Sequence, residues 1–196
     1  MGTAVLALQG AFIEHEQKLE KLGEPFFEIR EEADLKRPFD RLVLPGGEST
    51  VQGKLLRKEG LLEPLRERIE DGMPTLATCA GLILLARHIE DRIEDGSARS
   101  QVRPARHFGT LDVTVVRNAY GRQLGSFHTE DAVKGIGKVP MTFIRAPYVS
   151  EAGPEAEVLA TVGGRIVVVR QESQLALAFH PELDHDLRIH EAFLAL

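Results

Sequence analysis

The chain has 196 residues, 43% of them hydrophobic, a formal net charge of −6 and one cysteine. That length supports one well-packed domain spanning 1–196 and leaves no room for a second full domain. The lone cysteine excludes an internal disulfide, the negative charge argues against nucleic acid as the main partner, and no apolar run reaches the roughly 20 residues of a membrane span. The start Met1-Gly2-Thr3-Ala4-Val5-Leu6 lacks the charged, then long apolar, pattern of a secretory signal, so a cytoplasmic location is expected.

Thr3 to Gln9 reads as an apolar strand, Ala11 to Leu22 as a helix ended by Gly23, and Pro25 to Ile29 and Arg41 to Leu44 as two more strands. After the Pro45-Gly46-Gly47 break, helical spacing runs through Leu55, Leu56, Leu61, Leu62, Leu65 and Ile69, and Asp71-Gly72 closes it. A short β-prone stretch then ends at Cys79, where an apolar helical stretch begins. This βαβα order implies an α/β fold with an open, mainly parallel sheet covered by helices on both faces, three layers in all. Residues 90–108 carry almost no apolar period and are expected to form an exposed loop that the fold can lose. From Leu111 the strands crowd together. Leu111 to Val116 and Gln123 to Phe127 flank a turn at 118–121, followed by Met141 to Arg145, Val158 to Val162, Arg165 to Val169 and Leu175 to Phe179. Gly163-Gly164 between two apolar runs signals a hairpin, and Asp184 to Leu196 reads as a closing helix.

In an open α/β sheet, ligands bind beyond the carboxyl ends of the strands. Cys79 follows one such end, in Thr75-Leu76-Ala77-Thr78-Cys79-Ala80-Gly81, and has the shape of a nucleophile elbow. Small residues at 77, 80 and 81 leave room for the sharp turn, and a helix N-terminus favours thiolate over thiol. A lone cysteine equally fits a small buried hydrophobe. The run Phe179-His180-Pro181-Glu182 follows the last strand: His180 can move the thiol proton and Glu182 can fix its tautomer. The glycine turn Leu44-Pro45-Gly46-Gly47-Glu48-Ser49-Thr50 follows the third strand, and it also fits a plain turn with Ser49 as helix N-cap. With Ala80, Gly47 supplies candidate N–H donors for an oxyanion hole. The remaining histidines read as surface or ordinary helix residues, and no metal site is expected because His185 and His190 lack helical ligand spacing.

Taken together, LALQGAFIEH at 6–15, LPGGEST at 44–50, TCAGLILLA at 78–86, RNAYGRQ at 117–123, FIRAP at 143–147 and FHPEL at 179–183 resemble the class I (triad) glutamine amidotransferases. More narrowly, they resemble the glutaminase subunits of pyridoxal 5′-phosphate synthase. The resemblance implies a flavodoxin-like fold and hydrolysis of L-glutamine to glutamate and ammonia. It implies Cys79, His180 and Glu182 as the triad, and Gly47, Glu48, Ser49, Arg117, Ile144 and Arg145 as the glutamine-binding positions. It also implies no cofactor, and a hetero-oligomer with a synthase subunit that docks near Gln9, Glu14 and His15. Turning of the Gly46–Gly47 peptide, from carbonyl inward to N–H inward, is a means by which docking would switch hydrolysis on. Two departures stand out: Ala77 where such proteins commonly have glycine, and a long basic stretch at 97–108. A free-standing thiol hydrolase of γ-glutamyl bonds, or a non-enzymatic module that binds glutamine or senses oxidants through Cys79, are the competing readings.

Overall fold

The computed structural model describes residues 1–91, 101–104, 107–117 and 126–196. In chain order the strands and helices are β1 (Thr3–Leu6), α1 (Phe12–Lys21), β2 (Phe26–Ile29), β3 (Arg41–Leu44), α2 (Ser49–Lys58), α3 (Leu62–Glu70), β4 (Thr75–Thr78), α4 (Ala80–Leu85), β5 (Ala86–Asp91), β6 (Gln101–Pro104) and β7 (Leu111–Arg117). They continue as β8 (Ser126–Val133), β9 (Gly137–Ile144), β10 (Tyr148–Ala152), β11 (Glu157–Val162), β12 (Arg165–Gln171), β13 (Gln174–Leu177) and α5 (Arg188–Leu194). Among the described residues no helix is long and apolar enough to cross a membrane.

Strands covered on both faces must be apolar at every position rather than at alternate ones. β1, β4 and β13 come close to this demand: all their residues are buried, and the exceptions to apolar character stand at the strand ends, Thr3, Thr75, Thr78 and Gln174. They lie in one sheet ordered β2-β1-β3-β4-β13-β12-β10-β7-β5-β6, with β11 beside β12. Pairing is parallel from β2 to β13 and antiparallel where β12 and β10 continue the sheet. The chain leaves β1 for β2 on one side and returns to β3 on the other, which makes the β1/β3 boundary a topological switch point. β8 and β9 form a separate hairpin. It is tied to the sheet where the His180 N–H donates to the Thr142 carbonyl (2.8 Å).

The α/β reading, the parallel half and the Gly163-Gly164 hairpin agree with the structure; both glycines have positive φ and Val162 faces Arg165. Several boundaries differ. The first strand stops at Leu6, because Gln9 is drawn to the glycine turn and α2 instead of continuing the ladder. The helical run of 55–69 is two helices, broken at Gly60, whose φ of 70° no helix accommodates. The closing helix starts only at Arg188, since the Asp184 and Asp186 carbonyls are taken by the Lys18 ammonium rather than by a helical ladder.

The expected loop at 90–108 needs correction at both ends. β5 and β6 pair antiparallel at the sheet edge, with Glu90 opposite Val102, and Phe108 is fully buried. A period test misses them because the strand is short and the buried aromatic is isolated among charges. Residues 92–100, which include the start of the basic stretch 97–108, together with 105–106, the turn at 118–121 and the start of the expected 123–127 strand lie outside the described residues; Ser126 and Phe127 begin β8. Phe108→Ala should therefore cost about 3 to 5 kcal/mol in urea unfolding, as deletion of a buried aromatic does. The half-exposed Phe26, changed in the same way, should cost far less.

Candidate active site

β4 ends at Thr78, and the chain then turns through Cys79 at φ 48° and ψ −97°, a left-handed setting that a non-glycine residue holds only when its surroundings fix it. Those surroundings are on β13 and α4. The Cys79 N–H donates to the Leu177 carbonyl (2.8 Å), and Ala80 opens α4, where its own N–H has no intrahelical acceptor. A side chain on Gly81 would collide with the Leu44 carbonyl of the neighbouring strand, so the elbow closes only with glycine there. Ala77 is fully buried within β4 and leaves the elbow intact.

Because β13 runs parallel beside β4, with Leu177 opposite Thr78, its continuation brings His180 to Cys79. The His180 Nδ1 lies 2.6 Å from Glu182 Oε1. Burial would depress the His180 pKa, but hydrogen bonds to Cys79 and Glu182, with their charges, outweigh it and push it up to about 10. The ring therefore carries a proton at neutral pH. α4 has only six residues, so His180 rather than helix length is the main source of positive charge beside the sulfur.

The glycine turn approaches from β3. A Cβ on Gly46 would strike the His180 ring, and one on Gly47 would strike the Gln9 side chain. The Ala11 N–H donates to the Gly46 carbonyl (3.0 Å), which corrects the expected inward carbonyl. That oxygen is held by the β1–α1 loop, and the trans peptide directs the Gly47 N–H the opposite way. Gln9 Oε1 accepts from the Glu48 N–H (2.7 Å), and Gln52 Nε2 donates to the Gln9 and Pro45 carbonyls. Glu48, not Ser49, caps α2, accepting from the Thr50 and Val51 N–H groups; burial opposes its ionisation, but these bonds hold its pKa below the usual value.

These segments enclose a cavity of about 380 Å³ lined by Gln9, Gly47, Glu48, Ser49, Cys79, Ile83, Arg117, Ile144, Arg145, Pro147 and His180. All six expected glutamine-binding positions line it. Arg145 follows β9 at φ 45°, a second strained residue at the rim, and Arg117 Nη1 donates to Thr50 Oγ1 (3.3 Å). Sequence reading missed Ile83 and Pro147, although Ile83 lies one helical turn beyond Cys79 and so shares its face.

Of the expected docking residues, Gln9 lines the cavity, Glu14 is partly exposed and His15 is fully buried. His15 has no surface to offer a partner. Its Nε2 instead lies 3.4 Å from Glu182 Oε2 and 3.1 Å from Thr78 Oγ1, and its Nδ1 lies 3.0 Å from His190 Nε2. His190 is likewise buried, not an ordinary helix residue. Burial first, then nearby cations, holds the His15 pKa well below its usual value, and burial brings His190 down to about 3.

A thiol, an imidazole and a carboxylate at the carboxyl ends of adjacent parallel strands, facing a glycine turn, define an amidotransferase type of fold and site. The chain belongs to the SNO glutamine amidotransferase family, whose model matches residues 5–196. It is 56% identical over 194 residues to a pyridoxal 5′-phosphate synthase subunit PdxT of Desulfitobacterium hafniense, covering 99% of this chain and 92% of the relative. The PdxT of Methanocorpusculum labreanum is 52% identical, with 100% and 97% covered. A crystal structure of a glutamine amidotransferase superposes with a TM-score of 0.87 at 41% identity, over 100% of this chain and 98% of the other.

The buried, neutral His190 makes the fold acid-sensitive. Between about pH 3 and 6.5 the unfolded chain takes up a proton that the folded ring refuses, so stability rises with pH across that window and is lost on acidification. Urea unfolding from pH 4 to 7 should show a slope shallower by up to about 1.4 kcal/mol per pH unit in His190→Gln than in the parent chain.

Proposed function

We propose that this chain is the glutaminase subunit of a pyridoxal 5′-phosphate synthase, hydrolysing L-glutamine and passing the ammonia to a synthase subunit. The observation that carries the reading is the meeting of Cys79, His180 and the Gly47 turn on one cavity, in a chain whose relatives are named as subunits of that synthase. The Cys79 sulfur attacks the side-chain amide carbon, and the N–H groups of Gly47 and Ala80 receive the developing oxyanion. His180 gives its proton to the departing nitrogen, releasing ammonia and leaving a γ-glutamyl thioester. Water then adds to the thioester, His180 taking its proton, and glutamate leaves as the thiolate reforms. Glu182 keeps the ring oriented throughout. Arg117 and Arg145 suit the carboxylate end of the amino acid, since charge-assisted pairs distinguish it from the amide end, with Glu48, Ser49 and Ile144 completing the pocket.

Ammonia released without an acceptor is protonated and lost, so coupling to the partner is functionally required. The β1–α1 loop is suited to it. Through Ala11 and Gln9 it holds the glycine turn, and the first turn of α1 that follows it exposes the apolar Ile13 (53%) beside Glu14. A partner seated on this loop would hold the Gly47 N–H in place.

A glutamine-mimicking alkylator should add once per chain, at Cys79, and Cys79→Ser and His180→Gln should abolish turnover. Glu182→Gln should reduce it less. Ammonia release measured with and without the synthase subunit should be higher with it, because the docked partner secures the β1–α1 loop and, through the Ala11–Gly46 bond, the Gly47 N–H. Full turnover by the isolated chain would favour the free-standing hydrolase instead.

A further inference from the structure

We infer that His15 is a positioning residue for the proposed triad: its Nε2–H donates to the second carboxylate oxygen of Glu182, and His190 fixes the tautomer that makes this possible. The inference rests on the functional reading above for the roles of Cys79, His180 and Glu182, and adds two residues to them.

Three buried atoms argue for it. Glu182 Oε1 is committed to His180, which leaves Oε2 fully buried with no hydrogen-bond partner at normal geometry; the ring nitrogen of His15 lies 3.4 Å away. An anionic oxygen in such a place is costly without a donor. His190 Nδ1 is also buried and unpartnered, while its Nε2 faces His15 Nδ1 at 3.0 Å. The protons between the two rings can be arranged in two ways. If His15 carried its proton on Nδ1, its Nε2 lone pair would face the carboxylate, and His190 would strand an N–H donor in the interior. If His190 Nε2–H donates to His15 Nδ1, then His15 Nε2–H points at Glu182 and Thr78, and the only unpaired nitrogen is an acceptor. A stranded acceptor facing no donor is the lesser penalty, and the second arrangement also satisfies the carboxylate.

The groups facing this pair come from every neighbouring element. Lys18 lies on α1, Thr78 at the end of β4, His180 and Glu182 in the segment after β13, and His190 on α5. Lys18 is occupied by the Asp184 and Asp186 carbonyls, and so does not substitute for His15 at the carboxylate. Without the His15 donor, nothing holds the second oxygen of Glu182, and the carboxylate would turn away from its present place, which loosens the anion at His180 Nδ1 and makes that ring a weaker base.

Glutamine places an amide N–H where His15 has Nε2, and asparagine where it has Nδ1, so His15→Gln, His15→Asn and His15→Leu separate the two contacts. In the complex with the synthase subunit, His15→Leu and His15→Asn should lower kcat about tenfold to a hundredfold, within the range of general acid–base assistance. KM should hold, because His15 touches no substrate. The alkaline limb of the pH profile should move to lower pH, and His15→Gln should restore both. The pH dependence of Cys79 alkylation by iodoacetamide should shift in the same order. That readout needs no glutamine, so a wild-type chain without glutaminase activity would count against the functional reading while the His15 link was still tested. Wild-type pH profiles in His15→Leu, loss in His15→Gln equal to that in His15→Leu, or nitrogen chemical shifts placing the His15 proton on Nδ1, would each overturn the inference. If His15→Leu does not fold, the comparison of Gln with Asn decides: Asn as active as Gln refutes it.

Discussion

The register of β13 against β4 sets the site. With Leu177 opposite Thr78, Cys79 is one residue past its strand and His180 three past the adjacent one, on backbones about 4.8 Å apart. A slip of one residue would turn β13 over and send its buried side chains to the other face. Both faces are buried, so such a slip would exchange the side chains packed in the two layers, and the close packing of each layer holds the register. Hydrophobic packing of the sheet and placement of the imidazole are thus one constraint, and the strain at Cys79 is sustained by the same ladder through the bond to the Leu177 carbonyl.

Crowding supplies the remaining specificity. Gly46 lies against the His180 ring, Gly81 against the Leu44 carbonyl, and Gly47 against Gln9. The three loops interlock so closely that each glycine is required by a neighbour from another strand. The β1–α1 loop reaches the oxyanion side of the cavity through backbone contacts to Gly46 and Glu48, while α1 reaches the carboxylate side through His15. One short stretch of chain, 9–15, therefore touches both ends of the proposed chemistry.

Much of this was readable from the residues. Cys79, His180, Glu182 and the glycine turn announce themselves because strand ends carry chemistry and their residue types are unusual for turns. The parallel strands were found because double-sided burial leaves unbroken apolar runs. The edge pair β5–β6 was not, since four to six residues at a sheet margin need only one buried face and carry little pattern. His15 and His190 look like ordinary polar positions on amphipathic helices. Only the three-dimensional meeting of α1, α5 and the segment after β13 shows them in line behind a carboxylate, and no periodicity within either helix encodes that encounter.

The position of β13 also bears on how the molecule assembles. β4 leaves the nascent chain about a hundred residues before the strand that covers its open edge and supplies the histidine. During vectorial synthesis, the first four strands can condense early, yet β4 must wait as an unpaired apolar margin, the kind of surface that recruits other chains. The thiol stays without its proton partner for the same interval. Long-range closure of this sort slows folding, and it also keeps the nucleophile idle until the sheet around it is complete.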